Sequence, residues 1–245
     1  MKARTIAALS VCLATTPFAL ADNNGRPNCS GLPTAAQLKT QMNNLNAVPT
    51  ALGGGGGKIG GLFNGTRMWA AVVNRDGAIC AVAASMDDPT QVWPGSQAIA
   101  KAKAYTANAF SLDSLALSTA KLYTFTQPGH SLWSLGQSNS FDPQQLAAPE
   151  NSTSSNGQIA GGLIFFGGGV PLYSTAGKII GGLGVSGDSS CADHAIAYRM
   201  RAAAGLAGIP GGVSPSNNDN IIYAPVNTPP TGFQQPHCFP QDITP

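Results

Sequence analysis

Apolar residues recur every three to four positions in several segments of the chain, and this period predicts amphipathic helices. The first predicted helix follows Thr34, a residue type that caps helix N-termini well. An alanine-rich helix is predicted from Ser96 to Phe110, and a further helical stretch from Leu115 to Tyr123. These helices alternate with apolar runs of a different kind.

Short, near-continuous apolar runs predict two pairs of strands. The runs 68–73 and 78–84 flank an Asp-Gly pair at Asp76, which is a strong hairpin signal between such segments. Their uniform apolarity predicts strands that are covered on both faces. A second pair is predicted within 159–173 and 178–186, joined by a turn.

The remaining segments complete the prediction of an α+β domain with a mainly antiparallel sheet. Ser189 or Ser190 is expected to cap a last helix that runs through Ala204. The polar stretch 126–158 predicts a long inserted loop that is either functional or mobile. The proline-rich, asparagine-rich and glycine-rich segment 207–245 is expected to wrap the surface as a C-terminal tail.

The N-terminus has the pattern of a secretory signal peptide over residues 1–21. Lys2 and Arg4 precede an apolar run that ends in a small-x-small motif closing at Ala21. No later run approaches the length of a membrane span. We therefore expect a periplasmic or secreted protein with no membrane span, whose single domain occupies 22–245 around a core of about 36–206.

The balance and the identity of the charged residues exclude some classes of partner and some kinds of catalysis. Removal of the signal peptide would leave eleven basic and eleven acidic residues. This balance argues against nucleic acid or an anionic membrane as the main partner. Glu150 is the only glutamate, so paired-glutamate catalysis is excluded and any catalytic carboxylate is expected to be an aspartate.

Four cysteines remain after the signal peptide, and export predicts that they form two disulfides. They are Cys29, Cys80, Cys191 and Cys238. Three pairings are possible. We favour Cys29 with Cys238 and Cys80 with Cys191, because the first two lie in terminal segments and the other two lie within the patterned core.

Four segments in order resemble the GlcG/HbpS family of haem-binding proteins, whose domain also occurs at the C-terminus of PduO-type proteins. They are VVNRDGAICAV from Val72, IAKAKAYTANAF from Ile99, FFGGGVPLY from Phe165 and GKIIGGLGVSGDSSCADHAIA from Gly177. The resemblance implies a five-stranded antiparallel sheet flanked by helices and frequent homo-oligomers. It also implies that some members bind haem or its degradation products. The inserted loop, the cysteines and the tail depart from the family pattern.

The candidate ligand-binding residues are the few groups that suit a haem or another anionic tetrapyrrole. His194 and His130 are the possible axial ligands of a haem iron, and Asp193 precedes His194 at the start of the last helix. The backbone N–H groups of Gly167, Gly168 and Gly169 would suit a propionate, although tight packing explains these glycines equally well. His130 and Trp133 are expected at the pocket if the inserted loop is a lid.

The sequence therefore predicts an exported protein that binds a small ligand, haem or a related tetrapyrrole, and that forms a homo-oligomer. Two alternatives remain open. One is a haem-degrading or cofactor-free enzyme that uses Asp193 and His194 in the same pocket. The other is an oligomeric accessory module without a ligand.

Overall fold

The computed structural model of the chain describes residues 27–44, 59–145 and 156–239. The predicted signal peptide therefore lies outside the described residues. The helices and strands are α1 Ala35–Asn43, β1 Trp69–Asn74, β2 Ile79–Ala84, α2 Gly95–Ala109, β3 Gly169–Tyr173, β4 Ile179–Ser186 and α3 Ser190–Ala203. They confirm the predicted α+β class, the hairpin and the first and last helices.

The predicted sheet of five strands is wrong for the described residues, which form four antiparallel strands in the order β2-β1-β4-β3. The segment before Ala160 pairs only with the start of β2, where Ile79 N–H donates to the Gln158 carbonyl at 2.8 Å. Gly161 and Gly162 then adopt φ values of 64° and 73°, which turn the chain away from the sheet. Directly before this turn the segment contacts the inserted loop, where Asp142 N–H donates to the Ala160 carbonyl.

Local capping explains where α1 and α3 begin. The Thr34 side chain accepts from Gln37 N–H, and the Gln37 side chain accepts from Thr34 N–H in return. Ser189 Oγ accepts from Ala192 N–H at the start of α3. The helical stretch predicted over 115–123 instead contains one short 3-10 turn, Thr119–Leu122, and a second turn, Thr124–Thr126, follows it. Thr119 and Thr124 hydroxyls donate to the distant Phe166 and Gln234 carbonyls, so tertiary contacts fix these turns.

The sheet lies between α2 on one face and α1 with α3 on the other. Alternate residues of β1 divide between the two layers: Ala70 and Val72 pack with α1 and α3, while Ala71 and Val73 pack with α2. Gly184 of β4 lets α2 approach closely, because a Cβ there would lie 2.5 Å from Ala104 N. The predicted burial of both sheet faces is confirmed.

The favoured disulfide pairing is wrong, since the structure joins Cys29 to Cys80 and Cys191 to Cys238. The first pair has a Cα–Cα distance of 5.7 Å, because the segment before α1 runs beside β2. The second pair has a Cα–Cα distance of 6.0 Å, because the tail returns to the start of α3. All four cysteines are half-cystines, as predicted.

Candidate functional site

The start of α3 holds a buried ion pair. Asp193 lies 2.7 Å from the Lys103 ammonium of α2, and both side chains are buried. Asp193 also accepts from Asp188 N–H at 3.0 Å, and Lys103 donates to the Val185 carbonyl at 3.1 Å. Burial raises the pKa of Asp193 to about 6 and lowers that of Lys103, while each partner favours the other's charge. The pair joins α2, the end of β4 and α3.

His194 lies in the interior under the C-terminal tail. Its Nε2 lies 3.1 Å from Asn220 Oδ1 and 3.1 Å from the N–H of Ile221. Burial lowers the pKa of His194 to about 3, and the nearby Asp219 carboxylate opposes this shift. The imidazole is therefore neutral at pH 7, and its Nε2 is engaged with the tail.

The glycines before β3 lie against the same helix start. A Cβ on Gly168 would lie 2.6 Å from Lys103 Nζ and 2.9 Å from Asp193 Cβ. Gly167 N–H donates to Gln235 Oε1 at 2.7 Å, and Gly169 N–H donates to Thr119 Oγ1 at 2.9 Å. The structure thus brings Gly167, Gly168 and Gly169 next to Asp193 and His194. Two of their N–H groups bind side chains of the chain itself.

The inserted loop forms an apolar groove with the segment 162–166, and we call it the insertion groove. It consists of two neighbouring cavities of about 380 and 310 Å³, which share Gly136, Leu163 and Ile164 in their walls. The first cavity reaches the half-buried face of α2 at Ala98 and Ile99. The second is lined by four aromatic residues: Tyr123, Trp133, Phe165 and Phe166.

Contacts with α2 fix the floor of the insertion groove. Ile164 N–H donates to Thr106 Oγ1 at 3.0 Å. The Phe165 ring meets the Phe110 ring edge-on, with 6.5 Å between centroids. Sequence reasoning missed these residues, because it assigned the apolar run 163–166 to a strand. Its position directly after a long polar insertion was the available signal.

The two lid residues predicted from the sequence have different positions. Trp133 lines the smaller cavity and remains 55% exposed. His130 is exposed, and its carbonyl accepts from Trp133 N–H at 3.1 Å. Neither His130 nor His194 belongs to the walls of the insertion groove, as far as the described residues define them. The proposed ligand roles of both histidines stay predictions.

Tyrosine oxygens are another ligand type that a haem iron can take. Tyr173 Oη donates to the Leu112 and Leu115 carbonyls at 2.7 and 3.0 Å, so this hydroxyl is engaged. Tyr123 lines the insertion groove.

In the described ranges, no three His, Cys, Asp or Glu side chains are grouped as a metal site would require. No helix among the described residues is long and apolar enough to cross a membrane.

The low pKa of His194 predicts a loss of stability in acid. Between pH 6.5 and 3 the unfolded chain binds a proton at this imidazole and the folded chain does not. Stability should therefore fall with decreasing pH by up to about 1.4 kcal/mol per pH unit from this group. Urea denaturation at several pH values from 7 to 4 gives the free energy of unfolding as a function of pH. His194→Gln should lose less stability than the wild type as the pH falls. The exposed His130→Gln is the control and should keep the wild-type slope; equal slopes in all three proteins would contradict the assignment.

Comparison with known proteins gives one family match. Residues 62–202, more than half of the chain, match the family model described as "Haem degrading protein HbpS-like". The comparison with curated proteins gives no match.

Several solved structures are similar to the chain. Klebsiella pneumoniae protein ORFY is 22% identical with a TM-score of 0.44, and the match covers 68% of this chain and 84% of the ORFY chain. A PduOC:heme complex is 24% identical with a TM-score of 0.44, and the match covers 69% of this chain and 89% of the PduOC chain. HbpS is 20% identical with a TM-score of 0.39, covering 70% and 88%.

Proposed function

Since the chain belongs to the HbpS-like family, as its sequence motifs predicted, we propose that it binds haem or a related tetrapyrrole in the insertion groove. The observation that carries this proposal is the groove itself. Its two cavities, of about 380 and 310 Å³, are each within the range of small-ligand pockets, about 300–1,000 Å³. Their walls are mainly apolar, as such pockets usually are.

The lining of the groove supports a flat, hydrophobic ligand. Trp133 and Phe165 offer aromatic faces that can stack on a macrocycle, and Ile99 and Leu163 offer aliphatic contact. Gln127, Gln137 and Asn139 also line the groove, and Gln127 Nε2 donates to the Tyr123 carbonyl at 2.9 Å. Side-chain amides of this type can bind carboxylates such as propionates. These residues fit the macrocycle and its polar substituents.

Haem binding also requires a residue that can ligate the iron, and this requirement is more selective than an apolar wall. Tyr123 lines the groove and carries a phenolic oxygen, a haem ligand type that proteins use. His130 lies in the same loop as Trp133 and is exposed. We propose Tyr123 as the first candidate and His130 as the second. When bound, the iron would supply the redox chemistry, and the protein would shield one face of the macrocycle from water.

Export belongs to the same proposal. Two disulfides support an oxidising compartment, since such bonds are rare in reducing ones. With the N-terminal pattern of a signal peptide, this favours a periplasmic or secreted protein. We also propose a homo-oligomer, as the family resemblance suggests.

Replacement of Trp133 by alanine should weaken hemin binding about tenfold, because it removes the exposed aromatic wall of the groove. The measurement is a titration of the purified chain with hemin, followed at the Soret band. Trp93→Ala is the matched control, since Trp93 is 49% exposed but lies outside the groove. Equal losses in the two variants, or none in Trp133→Ala, would contradict the proposed site.

The description of the family favours haem degradation as a second candidate function. The same titration distinguishes it from binding. With a reductant and oxygen added, a bound haem that is only stored keeps its Soret band. A degrading protein loses the band at a rate that Trp133→Ala lowers and Trp93→Ala does not.

A further inference from the structure

The disulfide that anchors the C-terminal tail lies beside a second cavity, which we call the tail cavity. It has a volume of about 390 Å³ and is formed by two parts of the tail, 225–229 and 236–239. The residues described in its wall differ from those of the insertion groove. Cys238 belongs to this wall and is half-buried, whereas its partner Cys191 is 1% exposed. A small molecule in the tail cavity therefore approaches the bond from the Cys238 side.

Hydrogen-bond donors surround both sulfurs of this disulfide. Cys191 N–H, in the first turn of α3, donates to Cys238 Sγ at 3.2 Å, and the Ser190 hydroxyl lies 3.3 Å from the same sulfur. Cys238 N–H donates to Cys191 Sγ at 3.2 Å, and Gln235 Nε2 donates to it at 3.5 Å. Such donors and the positive end of a helix stabilise a thiolate. The surroundings therefore favour release of a negatively charged sulfur when the bond is broken.

The Cys29–Cys80 disulfide differs from this bond in the environment of its sulfurs. Both of its cysteines are half-buried, so low exposure does not protect them more than Cys238. Among the described residues, no donor forms a hydrogen bond with either of these sulfurs. Cys80 lies within β2, and Cys29 lies in the segment before α1, so neither is in the first turn of a helix. This bond lacks the groups that would stabilise a leaving thiolate.

The rest of the tail cavity suits a small molecule with both polar and apolar parts. Its apolar wall consists of Pro225, Val226, Pro229, Pro236 and Phe239. His237 is a polar member of the wall, and its Nδ1 is buried without a hydrogen-bond partner among the described residues. The volume is within the range of small-ligand pockets, about 300–1,000 Å³, and is too small for a folded protein partner.

We propose that the Cys191–Cys238 disulfide is a site of thiol–disulfide exchange with a low-molecular-weight thiol that enters the tail cavity. The small thiol loses its proton to water, and its thiolate attacks Cys238 Sγ to form a new S–S bond. The bond between Cys238 and Cys191 breaks, and its electron pair leaves on Cys191 Sγ as a thiolate. One disulfide replaces another, so no further oxidant or reductant is required. The Cys191 thiolate reverses the step when it attacks Cys238 Sγ and expels the small thiol.

Exchange at this site removes the covalent attachment of the tail to α3. Gln235 would then hold the tail by hydrogen bonds alone, through Ser190 Oγ at 3.0 Å and Gly167 N–H at 2.7 Å. The packing of the tail therefore depends on the thiol concentration around the protein. The site and its chemistry are independent of haem binding.

Incubation of the folded, oxidised protein with L-cysteine tests the proposal. Acid quenching, alkylation of free thiols and peptide mass spectrometry identify the products. We expect a cysteine adduct on Cys238, a free thiol on Cys191, and loss of this bond about tenfold faster than loss of Cys29–Cys80. In urea the two bonds should react at similar rates, because the preference comes from the folded surroundings. Equal rates in the folded protein, an adduct on Cys191, or reaction with a protein dithiol alone would overturn the proposal.

A larger side chain in the wall tests whether the thiol enters through the tail cavity. Thr228→Trp should narrow the cavity and slow adduct formation about fivefold. Thr175→Trp is the matched control, since Thr175 is exposed in the turn before β4, outside the cavity wall, and it should keep the wild-type rate. An unchanged rate in folded Thr228→Trp would overturn entry through the cavity. Should Thr228→Trp fail to fold, the comparison of the two disulfides in the wild type decides.

Discussion

Replacement of Asp193 by asparagine is expected to lower the free energy of unfolding at pH 7 by about 3–5 kcal/mol. The reason is that Lys103 would keep a buried ammonium that lacks its carboxylate partner at 2.7 Å. The loss would also loosen the joint between α2 and α3. Chemical denaturation with an intrinsic tryptophan signal is a suitable measurement.

Asp113→Asn provides the matched control for this prediction. Asp113 pairs with Lys178 at 2.8 Å, but both side chains are exposed, and such pairs contribute about 0–1 kcal/mol. The two variants remove the same charge from different environments. A loss below 1 kcal/mol in Asp193→Asn would show that the buried pair is neutral in the folded protein or that Lys103 finds another partner.

The second large effect concerns the disulfide between Cys191 and Cys238. Replacing both with serine should lower the free energy of unfolding by about 2–5 kcal/mol. The bond closes a loop with a sequence separation of 47 residues, for which the chain-entropy model gives about 4 kcal/mol. It also holds Gln235 at Ser190 and Gly167.

Hydrogen exchange distinguishes a local from a global consequence of that change. With the disulfide removed, amides of the tail should exchange faster than those of the β1–β2 hairpin, because the hairpin end of the sheet keeps the Cys29–Cys80 bond. The double variant Cys29→Ser/Cys80→Ser is the control and should leave tail exchange unchanged. Unaltered tail protection in the first variant would mean that the buried contacts of Asp219 and His194 hold the tail unaided.

Local sequence signals predicted the elements that are determined locally. Thr34 with Gln37 and Ser189 define helix starts within one turn, and the Asp76–Gly77 turn defines the hairpin. The four-stranded sheet and the disulfide pairing depend instead on where distant segments return. Cys238 reaches Cys191 because the tail crosses α3, where Asp219 contacts Arg201.

The candidate site shows the same division. The sequence singled out Asp193, His194 and the glycines, which the structure brings together at one helix start, and their roles in ligand binding stay predictions. It did not predict that Lys103, a charged residue in an alanine-rich helix, is the buried partner of Asp193. The sequence also did not predict the insertion groove. The segments that contain Phe165 and Trp133 are brought together by the way the long polar loop folds back.

A crystal structure of the protein with bound hemin tests the central proposal most directly. The proposal predicts porphyrin density in the insertion groove, between Trp133 and the segment 163–166, with the iron nearest to Tyr123 or His130. Porphyrin density at the start of α3, with His194 as the iron ligand and the tail displaced, would contradict it.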